Sequence, residues 1–355
     1  YVQHEKTRNI ARQMSIKNTT ANSSWTVPLF DNHILTFGAH YNRQALDDFT
    51  TNRSPVSATP RTNIERWSYA LFAENEWQMT DSFALTAGLR MDHDELFGTH
   101  WSPRIYGVWH LNDNWSLKGG VSTGFKAPKL RETIFEWGQT SRGGDIYGNP
   151  DLQPETSISK EIGLHYRNDY GLNASVTVYD NDYDDKITRI RCPSCGPANS
   201  RGNFPTTRVN VDKAITRGVE ASISTPLSDS LRLNAGYTYT HSEQKSGEFK
   251  GNPLNQMPFH MANIGLNWQA TEKINVWSKL SFRGAESATS GAASSGSTRN
   301  GSSTLLDLGG SYKVNKSVTL HAGIYNILDR RIDEDHGYDY VEDGRRYWLG
   351  VDARF

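Results

Sequence analysis

Arg346-Tyr-Trp-Leu-Gly-Val-Asp-Ala-Arg-Phe355 alternates at every position. Tyr347, Leu349, Val351, Ala353 and Phe355 fall on one side, and Arg346, Trp348, Gly350, Asp352 and Arg354 on the other. A β-strand turns successive side chains to opposite faces, so this pattern describes a strand with one apolar and one mainly polar environment. The split recurs upstream: Phe83, Leu85, Ala87, Leu89, Met91 stand against Ala84, Thr86, Gly88, Arg90, Asp92. It recurs again at Leu231, Leu233, Ala235, Tyr237, Tyr239, at Leu172, Ala174, Val176, Val178, and at Val318, Leu320, Ala322, Ile324. Ser102 to Leu111 fits either face.

The connections between these segments alternate in length. Short ones lie near Pro28–Asn32, Thr80–Ser82, Leu111–Asn114, Asn168–Gly171, Pro226–Ser230, Ala270–Lys273 and Val314–Ser317. Long ones fall between them, at Leu46–Asn63, Asp94–Trp101, Phe125–Ser157, Asn181–Thr207, His241–Met257, Gly284–Ser303 and Asp329–Gly344. Tight turns at one rim and long loops at the other are the rhythm of an outer-membrane up-and-down barrel. The expected fold is therefore all-β, a transmembrane antiparallel up-and-down β-barrel, with about fifteen strands in this sequence. Bacterial single-chain barrels close with an even number, so an odd count points to part of a larger barrel.

Composition agrees with this. Only 36% of residues are hydrophobic and the mean hydropathy is −0.66. No run approaches the roughly 18 apolar residues of a membrane helix. Transmembrane strands escape that limit, because only alternate residues meet lipid. Aromatics are plentiful, with 16 Tyr, 13 Phe and 10 Trp. Trp67, Tyr69, Trp77, Trp101, Trp109, Trp115, Trp268, Trp277, Tyr347 and Trp348 cluster near inferred strand ends, as aromatic girdles at the two interfaces require. The formal net charge of −1 lacks the basic excess of a nucleic-acid partner. The chain begins at Tyr1 with no preceding signal segment, and is read as processed or truncated.

Cys192-Pro-Ser-Cys195 holds both cysteines. The spacing admits a redox dithiol, half a zinc site or a small disulfide loop. No second Cys or His pair stands at zinc-site spacing and no βαβ context surrounds the motif, so a disulfide of an oxidising compartment is expected. No Gly-x-Ser-x-Gly or His-Glu-x-x-His motif is present, and neither an enzyme site nor a metal centre is expected. The carboxylates at Asp180, Asp182, Asp184 and Asp185, and at Asp333, Glu334, Asp335, Asp339, Glu342 and Asp343, are read as solvated, mutually repelling loops rather than a cation site.

Ser122-Thr-Gly-Phe-Lys-Ala-Pro-Lys-Leu-Arg-Glu132, Gly148-Asn-Pro-Asp-Leu-Gln-Pro-Glu155 and Glu161-Ile-Gly163 resemble a hallmark of TonB-dependent outer-membrane receptors. Tyr325-Asn-Ile-Leu-Asp329 and the closing strand from Glu342 to Phe355 are similar to that family's penultimate and last strands. The ending and the Cys-containing loop look most like the catecholate-siderophore branch, that of the colicin I and ferric-enterobactin receptors. The resemblance spans residues 1–355 and implies the C-terminal part of a plugged barrel of about 22 strands. It implies further that the N-terminal plug and TonB box lie outside this sequence.

The function implied is TonB-dependent uptake of a ferric siderophore, a ferric catecholate above all, captured by the long loops. Alternatives are a receptor of the same family for haem or vitamin B12, for which His241 and His336 are thin support, and a passive porin. The iron complex is cargo, and no resident cofactor is implied. Implied partners are TonB through the missing N-terminal region, outer-membrane lipid and lipopolysaccharide, the barrel-assembly machinery through the terminal Phe355, and colicins. An anionic, ring-rich cargo calls for Arg and aromatic side chains, since guanidinium groups are planar permanent donors and aromatic faces stack. Arg142, Trp137 and Arg191 are the first candidates, followed by Tyr147, Arg189, Arg201, Phe204, Arg331 and Tyr338. A Cys192–Cys195 bridge would stiffen one loop tip and reduce the ordering cost of binding.

Overall fold

The structure, a computed structural model, describes residues 1–9, 14–48, 62–134, 138–139, 144–247, 250–254, 257–287, 299–331 and 342–354. Its strands are β1 (Val2–Asn9), β2 (Met14–Leu29), β3 (His33–Asp48), β4 (Thr62–Thr80), β5 (Phe83–Asp94), β6 (Gly98–His110), β7 (Trp115–Lys126), β8 (Gly138–Gln139), β9 (Ile146–Tyr147) and β10 (Glu155–Arg167). There follow β11 (Asn173–Arg191), β12 (Thr206–Ser228), β13 (Leu231–Gln244), β14 (His260–Gln269), β15 (Ile274–Arg283), β16 (Glu286–Ser287), β17 (Arg299–Asn300), β18 (Ser303–Lys313), β19 (Val318–Tyr325) and β20 (Arg346–Ala353). Eighteen of these form one sheet, and β16 with β17 form a separate ribbon. Each long strand pairs antiparallel with the next, β7 passing directly to β10 and β15 to β18. Among the described residues β1 and β20 are not paired with each other, so this wall of an up-and-down barrel has two edges.

Sixteen strands have eight or more residues, one more than the alternation suggests. The additional strand is β1, whose sequence Val-Gln-His-Glu-Lys-Thr-Arg-Asn carries no apolar stripe. The seven short connections stand where the sequence places them, at one rim. The opposite rim carries the long ones, with two corrections. Residues 95–97 join β5 to β6 tightly, with Gly98 at φ 72° in the left-handed region that glycine adopts without strain. Residues 181–191 and 241–244, read as loop, continue β11 and β13, which rise beyond their neighbours.

The two faces of the sheet differ as alternation requires. The outer face presents Leu71, Leu89, Ile105, Ile162, Leu164, Val176, Val178, Ile264 and Leu266. It is bordered at the short-turn rim by Trp25, Trp77, Trp109, Trp115 and Trp268, and at the loop rim by Tyr41, Trp67, Tyr69 and Trp101. Trp277 and Trp348, expected in a girdle, belong instead to the inner face. They pair across the ladder with Gly309 and Gly323, and their rings lie over those glycines. Phe72 over Gly38, Tyr106 over Gly120 and Tyr179 over Gly218 repeat the arrangement. Each glycine leaves room for a ring flat against the ladder, a cross-strand contact that also covers exposed backbone. Gly88 serves a related purpose between Glu74 and Arg104, its cross-strand partners. With no side chain between them, Glu74 and Arg104 bond at 3.1 Å across two strands.

Asp180, Asp182 and Asp184 are not a repelling loop. They lie on β11 and pair across the ladder: Asp180 with Arg217 at 2.7 Å, Asp182 with Lys160 at 2.9 Å, and Asp184 with Lys213 at 4.0 Å. Extension of the strand to Arg191 puts Asp180 opposite Lys160 and Arg217 and Asp184 opposite Lys213, and brings Asp182, whose direct partners are Ile158 and Ile215, within diagonal reach of Lys160.

Candidate functional site

The longest described connection, from β7 to β10, leaves and re-enters the wall between Lys126 and Glu155. These residues are cross-strand partners, joined Nζ to Oε2 at 3.0 Å. Glu155 also accepts the Ile187 N–H at 2.9 Å, so one carboxylate ties β7, β10 and β11 together. Beyond Lys126 the Pro128 carbonyl accepts Arg66 Nη1 at 2.6 Å, while Arg66 donates through Nε and Nη2 to Asp94 Oδ2 at 3.0 and 2.7 Å. The Arg66 and Asp94 side chains are only 11% and 4% exposed, which makes this a buried, geometrically complete ion pair. Leu130 packs on fully buried Leu46, with Met14, Ile16, Ile64 and Ile134 around them.

The return of the segment explains the Asn-Pro-x-Leu-x-Pro-Glu spacing physically. Asn149 Oδ1 accepts the Asp151 N–H at 3.0 Å and closes the turn, while its Nδ2 donates to the Arg208 carbonyl at 2.9 Å. Leu152 is buried. Gln153 exchanges two bonds with the Asn210 side chain, its N–H to Oδ1 at 2.9 Å and its carbonyl from Nδ2 at 2.8 Å. The segment is thus fastened to β4 and β5 at one end and to β11 and β12 at the other.

This fastening assembles a basic cluster. Arg189 and Arg208 are direct cross-strand partners at the loop ends of β11 and β12. Like charges placed opposite each other destabilise a sheet. Arg131, at the end of the short helical turn Leu130–Glu132, adds a third positive charge acting on Arg208. Glu132 offsets part of it, its Oε1 lying 3.1 Å from Arg208 Nε. The Arg189–Arg208 pair thus places two guanidinium groups directly opposite each other, with Glu132 bonded to one of them.

The tip joining β11 to β12 stands beside this cluster. Cys192 and Cys195 form the expected disulfide, with Cα atoms 5.3 Å apart. The Cys192 N–H bonds to the Pro205 carbonyl at 2.7 Å, and Asn199 Oδ1 accepts the N–H groups of Arg201 and Asn203 at 2.9 and 3.1 Å. The tip is therefore internally braced, and it presents Arg191, Arg201 and Phe204 exposed.

Tyr147 stands apart from the other candidates. It is only 7% exposed, and its carbonyl accepts Thr207 Oγ1 at 3.3 Å, which anchors the loop to β12. Arg331 is 75% exposed on the connection from β19 to β20, with its Nε 4.0 Å from Asp329 Oδ1. There Asn326, nearly fully buried, donates to the carbonyls of Arg330 and Asp343 at 2.6 and 3.2 Å and accepts the Arg330 N–H at 2.9 Å. The Asn-Ile-Leu-Asp motif is the knot of that connection. Trp137, Arg142, Tyr338, Phe355 and His336 lie outside the described residues. Arg208 was not singled out from sequence. Its signal is the pairing register with Arg189, which only the folded hairpin reveals.

Comparison with known proteins follows this geometry. The chain is 48% identical over 359 residues to the "Iron-regulated outer membrane virulence protein" of Vibrio cholerae serotype O1, covering all of this chain and 54% of that protein. It is 31% identical over 371 residues to the "Ferrienterobactin receptor" of Escherichia coli K12, covering 91% of this chain and 49% of that protein. A crystal structure of a ferric enterobactin receptor mutant from Pseudomonas aeruginosa superposes with a TM-score of 0.77 at 26% identity, covering 96% of this chain and 54% of that one. The chain thus spans about half the length of the relatives it matches. Residues 2–327 match the family described as "TonB dependent receptor-like, beta-barrel", and the chain belongs to the TonB-dependent receptor β-barrel family.

Proposed function

We propose that this chain forms the wall and ligand-capturing mouth of an outer-membrane receptor for ferric catecholate siderophores. The observation that carries the reading is the Arg189–Arg208 pair with Arg131 beside it. A fold tolerates opposed like charges where an anion completes the arrangement, and permanently charged planar donors suit an anionic complex. Aromatic surface at Phe204 supplies a stacking partner for a catechol ring. The names of the relatives, receptors for ferric enterobactin among them, support this cargo class. The iron enters as cargo, and the receptor carries no resident cofactor in this reading.

In the same proposal TonB supplies the energy for transport through a region outside this sequence, because an outer membrane holds no ATP. Lipopolysaccharide surrounds the wall, the assembly machinery reads the C-terminal strand, and colicins use the exposed loops as a docking surface.

The test is ferric-ligand binding to the full-length receptor in detergent by intrinsic Trp fluorescence quenching, with ferric catecholate, ferric hydroxamate and haem in parallel. Saturable quenching by the catecholate alone is expected. Arg189→Gln and Arg208→Gln should each weaken it about tenfold or more, as loss of a charge-assisted contact does, and should flatten its salt dependence. Equal response to the hydroxamate or haem, or indifference to both substitutions, would overturn the proposal.

A further inference from the structure

The two opposed arginines are not equivalent. Arg189 is exposed and has no carboxylate partner among the described residues. Arg208 is partly buried, its side chain 27% exposed, and its Nε is met by Glu132 Oε1 at 3.1 Å. Burial acts against the Arg208 cation, as do the charges of Arg189 and Arg131, and Glu132 is the group that sustains it. A partly buried guanidinium beside two others needs an anion, and the chain supplies one of its own.

The way Glu132 is held separates its backbone from its carboxylate. It closes the helical turn Leu130–Glu132. Its N–H donates to the Lys129 carbonyl at 2.8 Å, and its own carbonyl accepts the Asn149 N–H at 2.6 Å. Leu130, two residues before it, is packed on Leu46. The carboxylate is divided: Oε2 accepts the Lys129 N–H at 2.8 Å, while Oε1 goes to Arg208. The terminal torsion of a Glu side chain is soft, so Oε1 can leave Arg208 while the backbone of the segment stays fastened.

A carboxylate tethered in this way competes as if it were present at millimolar concentration or above. A single carboxylate or phosphate from the medium gains little by displacing it from one arginine. An anion that reaches Arg189 and Arg208 together gains a second charge-assisted contact that Glu132 does not make.

We propose that Glu132 is a specificity-determining counter-anion, which holds Arg208 until a cargo anion spanning both arginines displaces it and takes Arg208 back as the cargo leaves. The inference rests on the ferric-catecholate reading of the Arg189–Arg208 pair and deepens it by naming what selects multiply charged cargo over small anions. A Glu132 that merely tied the 127–154 segment to β12 would have the opposite effect on affinity when its charge is removed.

The experiment is Glu132→Gln in the full-length receptor, which keeps the shape and an oxygen acceptor but not the charge. Ferric-catecholate quenching is titrated alone and against millimolar inorganic phosphate at fixed ionic strength, so that screening is constant. Affinity should rise about tenfold, the scale of one charge-assisted contact, with slower cargo dissociation. Phosphate, without effect on the parent, should compete in the variant. Glu132→Asp, which withdraws the carboxylate by one methylene, should move both readouts the same way by less. In an Arg208→Gln background Glu132→Gln should change nothing, because the contested cation is gone. Lower affinity in Glu132→Gln, with the 127–154 segment opened to limited proteolysis, would show a structural tie and overturn the proposal. Unchanged affinity, or the same gain in the Arg208→Gln background, would overturn it too. Failure of the parent receptor itself to bind ferric catecholate would overturn the cargo reading, and this inference with it, before any variant is compared.

Discussion

At the short-turn rim six of the seven connections are capped by their own side chains, whereas at the opposite rim the longest connection is held by residues far away in sequence. Asn112 Oδ1 accepts the N–H groups of Asn114 and Trp115 at 2.9 and 3.0 Å. Asn315 does the same for Ser317 and Val318, and Thr80 and Thr271 cap their turns through Oγ1. Such bonds span two or three residues and form as soon as the chain bends. Across the molecule, Arg66 reaches Pro128, Asn149 reaches Arg208 and Gln153 reaches Asn210, with separations of 62, 59 and 57 residues. One rim is therefore built mainly from locally capped turns, joined to their neighbours by single bonds such as Asn114 Nδ2 to the Arg167 carbonyl, and the other holds a network that exists only once the wall has formed. The proposed cargo site lies on the networked rim, where residues from distant strands are held in one place.

Four substitutions test how far that contrast goes. The largest effect is expected from Asp94→Ala, which strands Arg66 in a buried position. Breaking a buried pair by removing one partner costs about 3–5 kcal/mol. The 127–154 segment should become open to limited proteolysis and cargo affinity should fall, with strand content by circular dichroism retained. An uncleaved segment would mean that the network does not depend on this anchor.

Smaller effects come from matched asparagines at the two rims. Asn149→Ala removes a bond to the Arg208 carbonyl and the Asp151 cap, about 1–3 kcal/mol in all, and should weaken ferric-catecholate quenching as well as the melting temperature. Asn315→Ala removes the same kind of cap at a local turn, at about 1 kcal/mol or less, and should leave quenching untouched. If the two behaved alike, the contrast between rims would be wrong.

The smallest effect is a pH dependence at the Asn326 knot. The Arg345 N–H donated to Asp329 Oδ1 at 2.8 Å, helped by the charges of Arg331 and Arg345, holds that carboxyl below its ordinary value. A carboxylate whose pKa is lower folded than unfolded stabilises the folded state above the unfolded value, about 3.9 for Asp. That contribution is lost as pH falls through the lower folded value. Protection of the Arg345 amide, its exchange measured relative to the intrinsic rate at each pH, should therefore be high at neutral pH and fall only below about pH 4. In Asp329→Asn it should lack this acid-triggered step. A step that persisted in the variant would assign it to another group.

The legible part of the molecule divides along the same line. Alternation and turn chemistry are local, so the seven short turns, the outward faces of β5, β13 and β20 and the Cys192–Cys195 bridge were readable from residues alone. What depended on register was not. The strand β1 has no apolar stripe to read, because Val2 is followed on its outward face by His4, Lys6 and Arg8. Trp277 and Trp348 read as girdle residues because their glycine partners lie on other strands. Arg189 could be named as a candidate, but Arg208 and Arg131 could not be joined to it until β11, β12 and the 127–154 segment met. For the same reason, the aspartates of β11 looked mutually repelling until their cross-strand cations were in place.

The rings laid over glycines on the inner wall have a consequence for the width of the passage. A ring lying flat against the ladder adds only its thickness to the wall, whereas the same ring standing upright would project its full length into the bore. Each such glycine thus acts as a spacer setting the local diameter. Replacing Gly218 or Gly309 with a larger residue would narrow the bore by lifting a tyrosine or tryptophan, without changing the arginines of the proposed cargo site.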